Sequence, residues 1–246
     1  MSLKLISAER TFSTVKGVGV QYLPGHIEEF VDLIIKKYIP VGGSVLELGG
    51  GGLRFAIPAS EKAKVKVVDL DAEGLDLANI RKMVKGNGKW IYDEIAIKKA
   101  LSVHVGDALD FLRESSEKYD AIVALRILHF FSPQKIQHFF EEISKRLQKN
   151  GLFIFSGFSL YNLPLQKEHN VFFRNSHPVE KDNDNYRELN SSKEVQLLRS
   201  QQNLGNFVHL FDIEYVNFFA KKYNLRVVLS GYPSTGIVEG FILIRE

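Results

Sequence analysis

Val45-Leu46-Glu47-Leu48-Gly49-Gly50-Gly51-Gly52 is the stretch on which the reading of this chain turns. Three apolar residues and one acid run into four consecutive glycines. Such a run suits a buried strand and is too short for a helix. Glycines directly behind it let the backbone turn sharply and come close to a ligand where a Cβ would collide. The same rhythm repeats outward from this point. Val65-Lys66-Val67-Val68 reads as a second strand ending at Asp69-Leu70-Asp71, with Leu75, Ala78, Asn79, Lys82 and Met83 following at helical spacing. Leu101 to Val105 closes on Gly106-Asp107, and Ala121 to Leu125 closes on Arg126. A helix is expected from about Pro133 to Leu147, with Lys149-Asn150-Gly151 as its stop and Leu152-Phe153-Ile154-Phe155 opening a fifth strand.

Short apolar strands alternating with helices predict an α/β protein with a parallel sheet. The end of the chain departs from that rhythm. Leu225 to Ser230 and Ile237 to Ile244 are separated by only Gly231 to Gly236. So short a link holds no crossover helix, so these two strands are expected to be antiparallel neighbours. Two segments stand outside the alternation. Residues 1–40 carry a polar lead-in and an amphipathic helix near His26 to Tyr38, stopped by Pro40. Residues 159–206 are rich in Asn, Ser, Gln and charge, and a structureless loop of that length is unusual in a compact domain. They are read as a partly helical cap inserted after the fifth strand, within one domain spanning 1–246.

Composition narrows the functional classes. The chain has 246 residues, 45% of them hydrophobic and 25% charged, which excludes a disordered tail or a fibrous repeat. With no cysteine it has no disulfide, zinc-thiolate site, iron–sulfur cluster or thiol nucleophile. Its seven histidines include no His-x-x-x-His or His-Glu-x-x-His spacing, so no metal is expected. A net charge of +3, with only short basic runs such as Lys62-Ala63-Lys64-Val65-Lys66, argues against a nucleic-acid partner. No apolar run approaches the ~18 residues of a membrane helix, since Arg126 interrupts Ala121 to Phe131. A cytoplasmic, soluble protein is expected, and its oligomeric state is not legible.

The acids at the strand ends describe a ligand. Asp69 lies where a carboxylate can accept both hydroxyl protons of a ribose, and Asp107 where one can receive an adenine amino group. A dinucleotide fingerprint requires Gly-x-Gly-x-x-Gly. Gly49 and Gly51 fit its first two positions, but the third falls on Arg54. Glu47 would repel a diphosphate and attract a cation or an amino group, so adenosine joined to an amino acid and a sulfonium suits the charges better than NAD.

The order of these motifs resembles the class I S-adenosylmethionine-dependent methyltransferases from about Val45 to the C-terminus. Val45 to Gly51 looks like their first motif, Val67-Val68-Asp69-Leu70-Asp71 the second, and Val105-Gly106-Asp107-Ala108 the third. Tyr119 to Val123 with Ile127 to Phe130 resembles the fourth, and Leu147 to Leu152 the lead-in to the fifth strand. The resemblance implies a three-layer Rossmann-like sandwich, with a mostly parallel seven-stranded sheet and a C-terminal antiparallel hairpin. It implies S-adenosylmethionine as cofactor, held by Glu47, Gly49, Gly50, Gly51, Asp69, Leu70, Asp107 and Ala108, with Arg126 and Tyr22 added as candidates from their positions. The chain departs from the family at Leu53, where a third glycine is common. It also lacks the Asn/Asp-Pro-Pro-Tyr/Phe segment of the subgroup that methylates exocyclic amines of bases or Gln side chains.

Methyl transfer from a sulfonium is an in-line displacement in which positioning can supply ~7–11 kcal/mol. A general base is needed only when the acceptor arrives protonated. His129, after the fourth strand, His26, after Tyr22-Leu23-Pro24-Gly25, and His209, before the sixth strand, are the candidates. Arg126 is placed to meet an anionic substrate or to pair with Glu47. Phe158, Tyr161 and Tyr22 are candidates to face the sulfonium. The expected acceptor is a small molecule. Alternatives are aminopropyl transfer as in the spermidine synthases, which Gly49 to Gly51 and Gly106 to Leu112 also resemble, a nicotinamide-dependent oxidoreductase, and a cofactor-binding module without catalysis.

Overall fold

The computed structural model describes residues 4–6, 11–13, 20–22, 26–72, 75, 85–86, 89–90, 94–158, 211–231 and 238–246. The expected cap at 159–206, Tyr161, His209 and the helix expected beyond Leu75 lie outside the described residues. Among the described residues, β1 (Lys4–Ile6), β2 (Thr11–Ser13) and β3 (Val20–Tyr22) come first. Then come β4 (His26–Glu28), α1 (Glu29–Leu33) and a π-helical turn, Ile34–Tyr38. The main body follows as β5 (Ser44–Leu48), α2 (Ala56–Ser60), β6 (Lys64–Asp69), β7 (Lys85–Gly86), β8 (Lys89–Trp90), α3 (Glu94–Ala100) and β9 (Leu101–Val105). It continues with α4 (Ala108–Glu114), β10 (Tyr119–Leu125), α5 (Pro133–Arg146), β11 (Leu147–Phe158), α6 (Ile213–Lys222), β12 (Leu225–Gly231) and β13 (Val238–Arg245).

Seven strands form one sheet in the order β12-β13-β11-β10-β5-β6-β9. β9, β6, β5, β10 and β11 pair in parallel, and β13 pairs antiparallel with both β11 and β12. The expected mostly parallel sheet with a terminal antiparallel hairpin is therefore what the chain builds. From β5 the chain steps outward to β6 and β9, then returns to β10 on the other side of β5. That reversal opens a crevice at the C-terminal ends of β5 and β10, the place where open α/β sheets take their ligands.

The period-two alternation of the strands divides the core between the two faces. Val45, Val65, Val67, Ala121, Val123 and Ile154 pack with α1, Leu53, Phe55 and α2 on one face. Leu46, Val68, Ile122, Ala124, Phe153, Phe155 and Phe241 pack with α4, α5 and α6 on the other. The second face holds much of the phenylalanine content. Phe140 stands edge-on to Phe153 at 5.4 Å between ring centroids, and Phe155 stacks on Phe241 at 4.9 Å. Burying each ring contributes roughly 1.5–3 kcal/mol. Ring-pair geometry adds ~0.5–1.5 kcal/mol. These aromatics are core. α5 starts because Ser132 accepts a hydrogen bond from the Lys135 N–H and Pro133 opens the first turn, and it ends with Lys145 and Arg146 against the helix dipole.

Two local expectations need correction. The helix expected from His26 begins at Glu29, because His26, Ile27 and Glu28 pair in parallel with Lys4, Leu5 and Ile6. That pairing is non-local and invisible to helical periodicity. Behind α1 the Ile39 N–H reaches the Ile34 carbonyl five residues back, at 3.1 Å. The fifth strand starts at Leu147, ahead of Leu152. Leu147 pairs with Tyr119, the chain turns through Asn150 at φ 61°, and pairing resumes at Leu152 with Ala121. The stop signal at Lys149-Asn150-Gly151 thus marks a break in register inside the strand. α1 docks across the sheet through Phe30, whose ring lies over Gly240 so closely that a Cβ there would come within 2.5 Å of it.

Candidate functional site

Glu47 is the penultimate residue of β5, and its side chain points to the face that carries α2. It is 2% exposed, and its Oε2 makes no hydrogen bond among the described residues. The Ala56 N–H, at the start of α2, donates to the carboxylate. The carboxyl is pushed up to about 8, chiefly by burial, with Asp69 adding to the rise and Arg54 and the Ala56 N–H opposing it. A buried acid with an unused oxygen is stabilised in its ionised form by a cationic group brought next to it.

The glycines above it are held by different constraints. Gly49 has φ +72°, and a Cβ there would lie 2.0 Å from Ile127 Cγ2, just past β10. At Gly50 a Cβ would meet Val67 Cγ1 at 2.2 Å and Glu47 Oε2 at 3.2 Å. Gly51 has φ +46° with nothing within 4 Å. The turn is closed by Asp69, whose Oδ2 accepts from the Gly51 N–H at 2.7 Å and whose Oδ1 accepts from the Asp71 N–H at 2.8 Å. Asp69 thereby orients the turn, and each carboxylate oxygen keeps acceptor capacity for a hydroxyl. Leu70 beside it is 72% exposed, an apolar side chain left at the surface next to the acid.

Leu53 occupies the position where a third glycine is common, and the backbone there does take the left-handed conformation, φ 55°. Its N–H closes a turn onto the Gly50 carbonyl at 2.8 Å, and its side chain is wholly buried. Left-handed backbone costs a leucine roughly 1–2 kcal/mol. Losing a buried leucine costs about 2–5 kcal/mol. Leu53→Gly is therefore expected to lower stability by about 1–4 kcal/mol in urea unfolding, even though it restores the more common residue.

Asp107 stands one residue beyond β9's closing Gly106 and caps α4. Its Oδ1 accepts from the Leu109 and Asp110 N–H groups at 2.8 and 3.2 Å, and its Oδ2 from Lys135 Nζ at 2.9 Å. Partial burial pushes this carboxyl up, but Lys135 and the two N–H donors outweigh it and hold it below the usual range. Lys135 also sits 4.5 Å from the Phe131 ring centroid. Lys135 lies 28 residues from Asp107, so no local signal announces the pair. A group whose folded-state pKa is lowered contributes stability that is present above its unfolded value and lost as pH falls through the folded one. Asp107→Ala is expected to cost about 1–2 kcal/mol at pH 7 through the lost cap. In acid titrations of urea stability the gap should close below pH 4. Ala108, the other half of that motif, is the first residue of α4.

The remaining candidates are placed as follows. Arg126 follows β10 at φ 60°, with its N–H on the Ser156 carbonyl at 2.9 Å. The cation felt by Glu47 is Arg54, which the sequence reading had used only to reject a dinucleotide fingerprint. His129 lies in the 3-10 turn Leu128–Phe130, 3% exposed and 4.1 Å from the Phe130 ring centroid. His26 and Tyr22 are placed by backbone only, in β4 and β3. Among the described residues no cluster of three metal-ligating side chains occurs, and no helix is long and apolar enough to cross a membrane.

A turn blocked to side chains at Gly49 and Gly50, with an unused buried carboxylate oxygen beneath it and an acid clasping it, can seat a nucleoside that bears a cationic tail. Comparison with known proteins bears on the fold. Residues 45–151 match the family model described as a methyltransferase domain. Over 122 residues the chain is 30% identical to a spermine synthase of Arabidopsis thaliana, covering 44% of this chain and 30% of that protein. The chain thus spans under a third of that relative's length. Among solved structures, magnesium protoporphyrin IX methyltransferase from Synechocystis with bound SAH has a TM-score of 0.55 at 13% identity, covering 89% of this chain and 83% of that one. A S-adenosylmethionine-dependent methyltransferase from Clostridium acetobutylicum has a TM-score of 0.54 at 15% identity, covering 87% and 90%. An O-methyltransferase family 2 protein from Planctomyces limnophilus in complex with apigenin has 0.56 at 14%, covering 88% and 55%.

Proposed function

We propose that the chain, whose residues 45–151 match a methyltransferase-domain model and whose sheet has the class I, S-adenosylmethionine-dependent fold, transfers a methyl group from S-adenosylmethionine to a small-molecule acceptor. The observation that carries the reading is the turn itself: Gly49 and Gly50 cannot bear a side chain, Asp69 clasps Gly51, and Glu47 lies buried beneath. When bound, the donor supplies an already activated methyl group on sulfur. The residues of the chain hold it: Asp69 takes the ribose hydroxyls, Leu70 and Ala108 border the base, and Asp107 keeps a lone pair for the adenine amino group beside Lys135. Glu47 receives the ammonium of the amino-acid tail, while Arg126 and Tyr22 are assigned to the rim of the pocket.

Catalysis on this reading is mainly alignment of acceptor, methyl and sulfur. A base, drawn from His129, His26 or His209, acts only for acceptors that arrive protonated. The acceptor pocket is assigned to residues 1–40 and 159–206 as caps on one domain spanning the chain, with a cytoplasmic setting and no nucleic-acid partner. Aminopropyl transfer is the second reading, favoured by the match to a spermine synthase. One experiment separates the two. Incubation with S-adenosylmethionine and a panel of small hydroxylated, carboxylated and amine acceptors is expected to yield S-adenosylhomocysteine. Methylthioadenosine from decarboxylated donor and a diamine, with no S-adenosylhomocysteine from the panel, would replace methyl transfer with the alternative.

A further inference from the structure

Glu47 makes a demand that the protein meets only in part when no ligand is bound. Its Oε2 is buried without a hydrogen bond among the described residues, 3.2 Å from where a Cβ on Gly50 would stand. An ionised carboxylate enclosed in this way costs several kcal/mol unless a cation compensates it. The charged groups felt at this carboxyl are Arg54, on the segment entering α2, and Asp69 on β6, one of each sign. The neighbour across from it on β10 is the uncharged Val123. Two nearby charges of opposite sign leave burial to decide the protonation state. Among the described residues, the Ala56 N–H stabilises the anion by a hydrogen bond.

Resting on the methyl-donor reading above, we propose that Glu47 is a proton-exchanging reader of the ligand's tail: it is uncharged in the free protein and ionises when a primary ammonium enters the glycine turn. The carboxyl O–H bond breaks, its proton leaves to solvent, and the carboxylate so formed pairs with the incoming ammonium, so charge is conserved and no other reactant is consumed. The site thereby favours adenosine ligands carrying an ammonium tail over those ending at a neutral thioether, because only the former compensates the buried charge. Gly50 lies directly over Glu47 Oε2: a Cβ there would stand 3.2 Å from that oxygen and 2.2 Å from Val67 Cγ1, so only glycine leaves the carboxyl and its valine neighbour in place.

The test is calorimetry at pH 7.0 in phosphate and in Tris, whose protonation enthalpies differ, with S-adenosylhomocysteine and with methylthioadenosine, which has no ammonium. Because the free carboxyl sits near 8, S-adenosylhomocysteine should release close to one proton per site and methylthioadenosine none. Glu47→Gln should bind methylthioadenosine as the unaltered protein does, bind S-adenosylhomocysteine at least tenfold more weakly, and release no proton. The proton count on the unaltered protein stands even if the variant fails to fold. Binding of both ligands with equal enthalpy in the two buffers would overturn this inference alone. Binding of neither by folded protein would overturn the methyl-donor reading and this inference with it.

Discussion

Gly49→Ala is expected to abolish donor binding and to destabilise the fold by about 2–5 kcal/mol, while Gly51→Ala, two residues on, costs about 1–2 kcal/mol. The contrast follows from two separate constraints. Both positions have positive φ, +72° and +46°, which charges any L side chain roughly 1–2 kcal/mol. At Gly51 nothing else stands within 4 Å, whereas at Gly49 a Cβ would sit 2.0 Å from Ile127 Cγ2. Ile127 follows the positive-φ Arg126, whose N–H is held by the Ser156 carbonyl. Its retreat would therefore move the end of β10 away from the turn, in addition to the ~1–3 kcal/mol that overpacking costs. A displaced turn misplaces the Gly51 N–H that Asp69 accepts, and with it the acid assigned to the ribose. Urea unfolding and ligand titration on the two variants check this. Equal losses at both glycines would mean that Ile127 does not wall the turn.

Glu47→Gln should change how stability depends on pH. Burial raises the carboxyl from its ordinary 4.5 to about 8 in the folded state, so the folded protein holds the proton more tightly than the unfolded chain does. Its contribution is therefore complete below pH 4.5, declines as pH rises through 8, and is gone above. Glutamine keeps the shape and does not titrate. Between pH 5.5 and 8.5 the stability difference should move in favour of the variant by about 2–4 kcal/mol, near the ceiling of ~1.4 kcal/mol per pH unit for one group. Urea denaturation at pH 5.5, 7.0 and 8.5 reads it directly. Parallel curves for the two proteins would mean that the carboxyl is already ionised in the free fold.

The strand ends were legible because each combines a short apolar run with a residue type that has a distinct physical role: glycines after Leu48, Asp69 closing β6, Asp107 after Gly106. The terminal hairpin was legible from length alone, since Gly231 to Gly236 leaves no room for a crossover. What escaped depends on pairings distant in sequence. β4 replaces the first turn of the expected helix because its partner is β1, some twenty residues earlier. Lys135 finds Asp107 through the packing of α5 against α4, and Phe30 finds Gly240 across nearly the whole chain. Leu53 misled in another way: the sequence shows a missing glycine, while the fold shows a glycine-like backbone occupied by a core side chain. Arg54 was read as the failure of one motif when it supplies the charge that opposes the burial of Glu47.

The central claim is that the glycine turn and Asp69 form the seat of an adenosine ligand. The most direct measurement is a titration of the purified protein with S-adenosylhomocysteine, with NAD in parallel and Asp69→Ala beside it. The account predicts micromolar binding of S-adenosylhomocysteine and none of NAD. It also predicts a loss of at least 100-fold in the variant, since two hydrogen bonds to a charged acceptor contribute roughly 1.5–3 kcal/mol each. Folded protein that ignores S-adenosylhomocysteine, or a variant that binds it as tightly as the original, would contradict it.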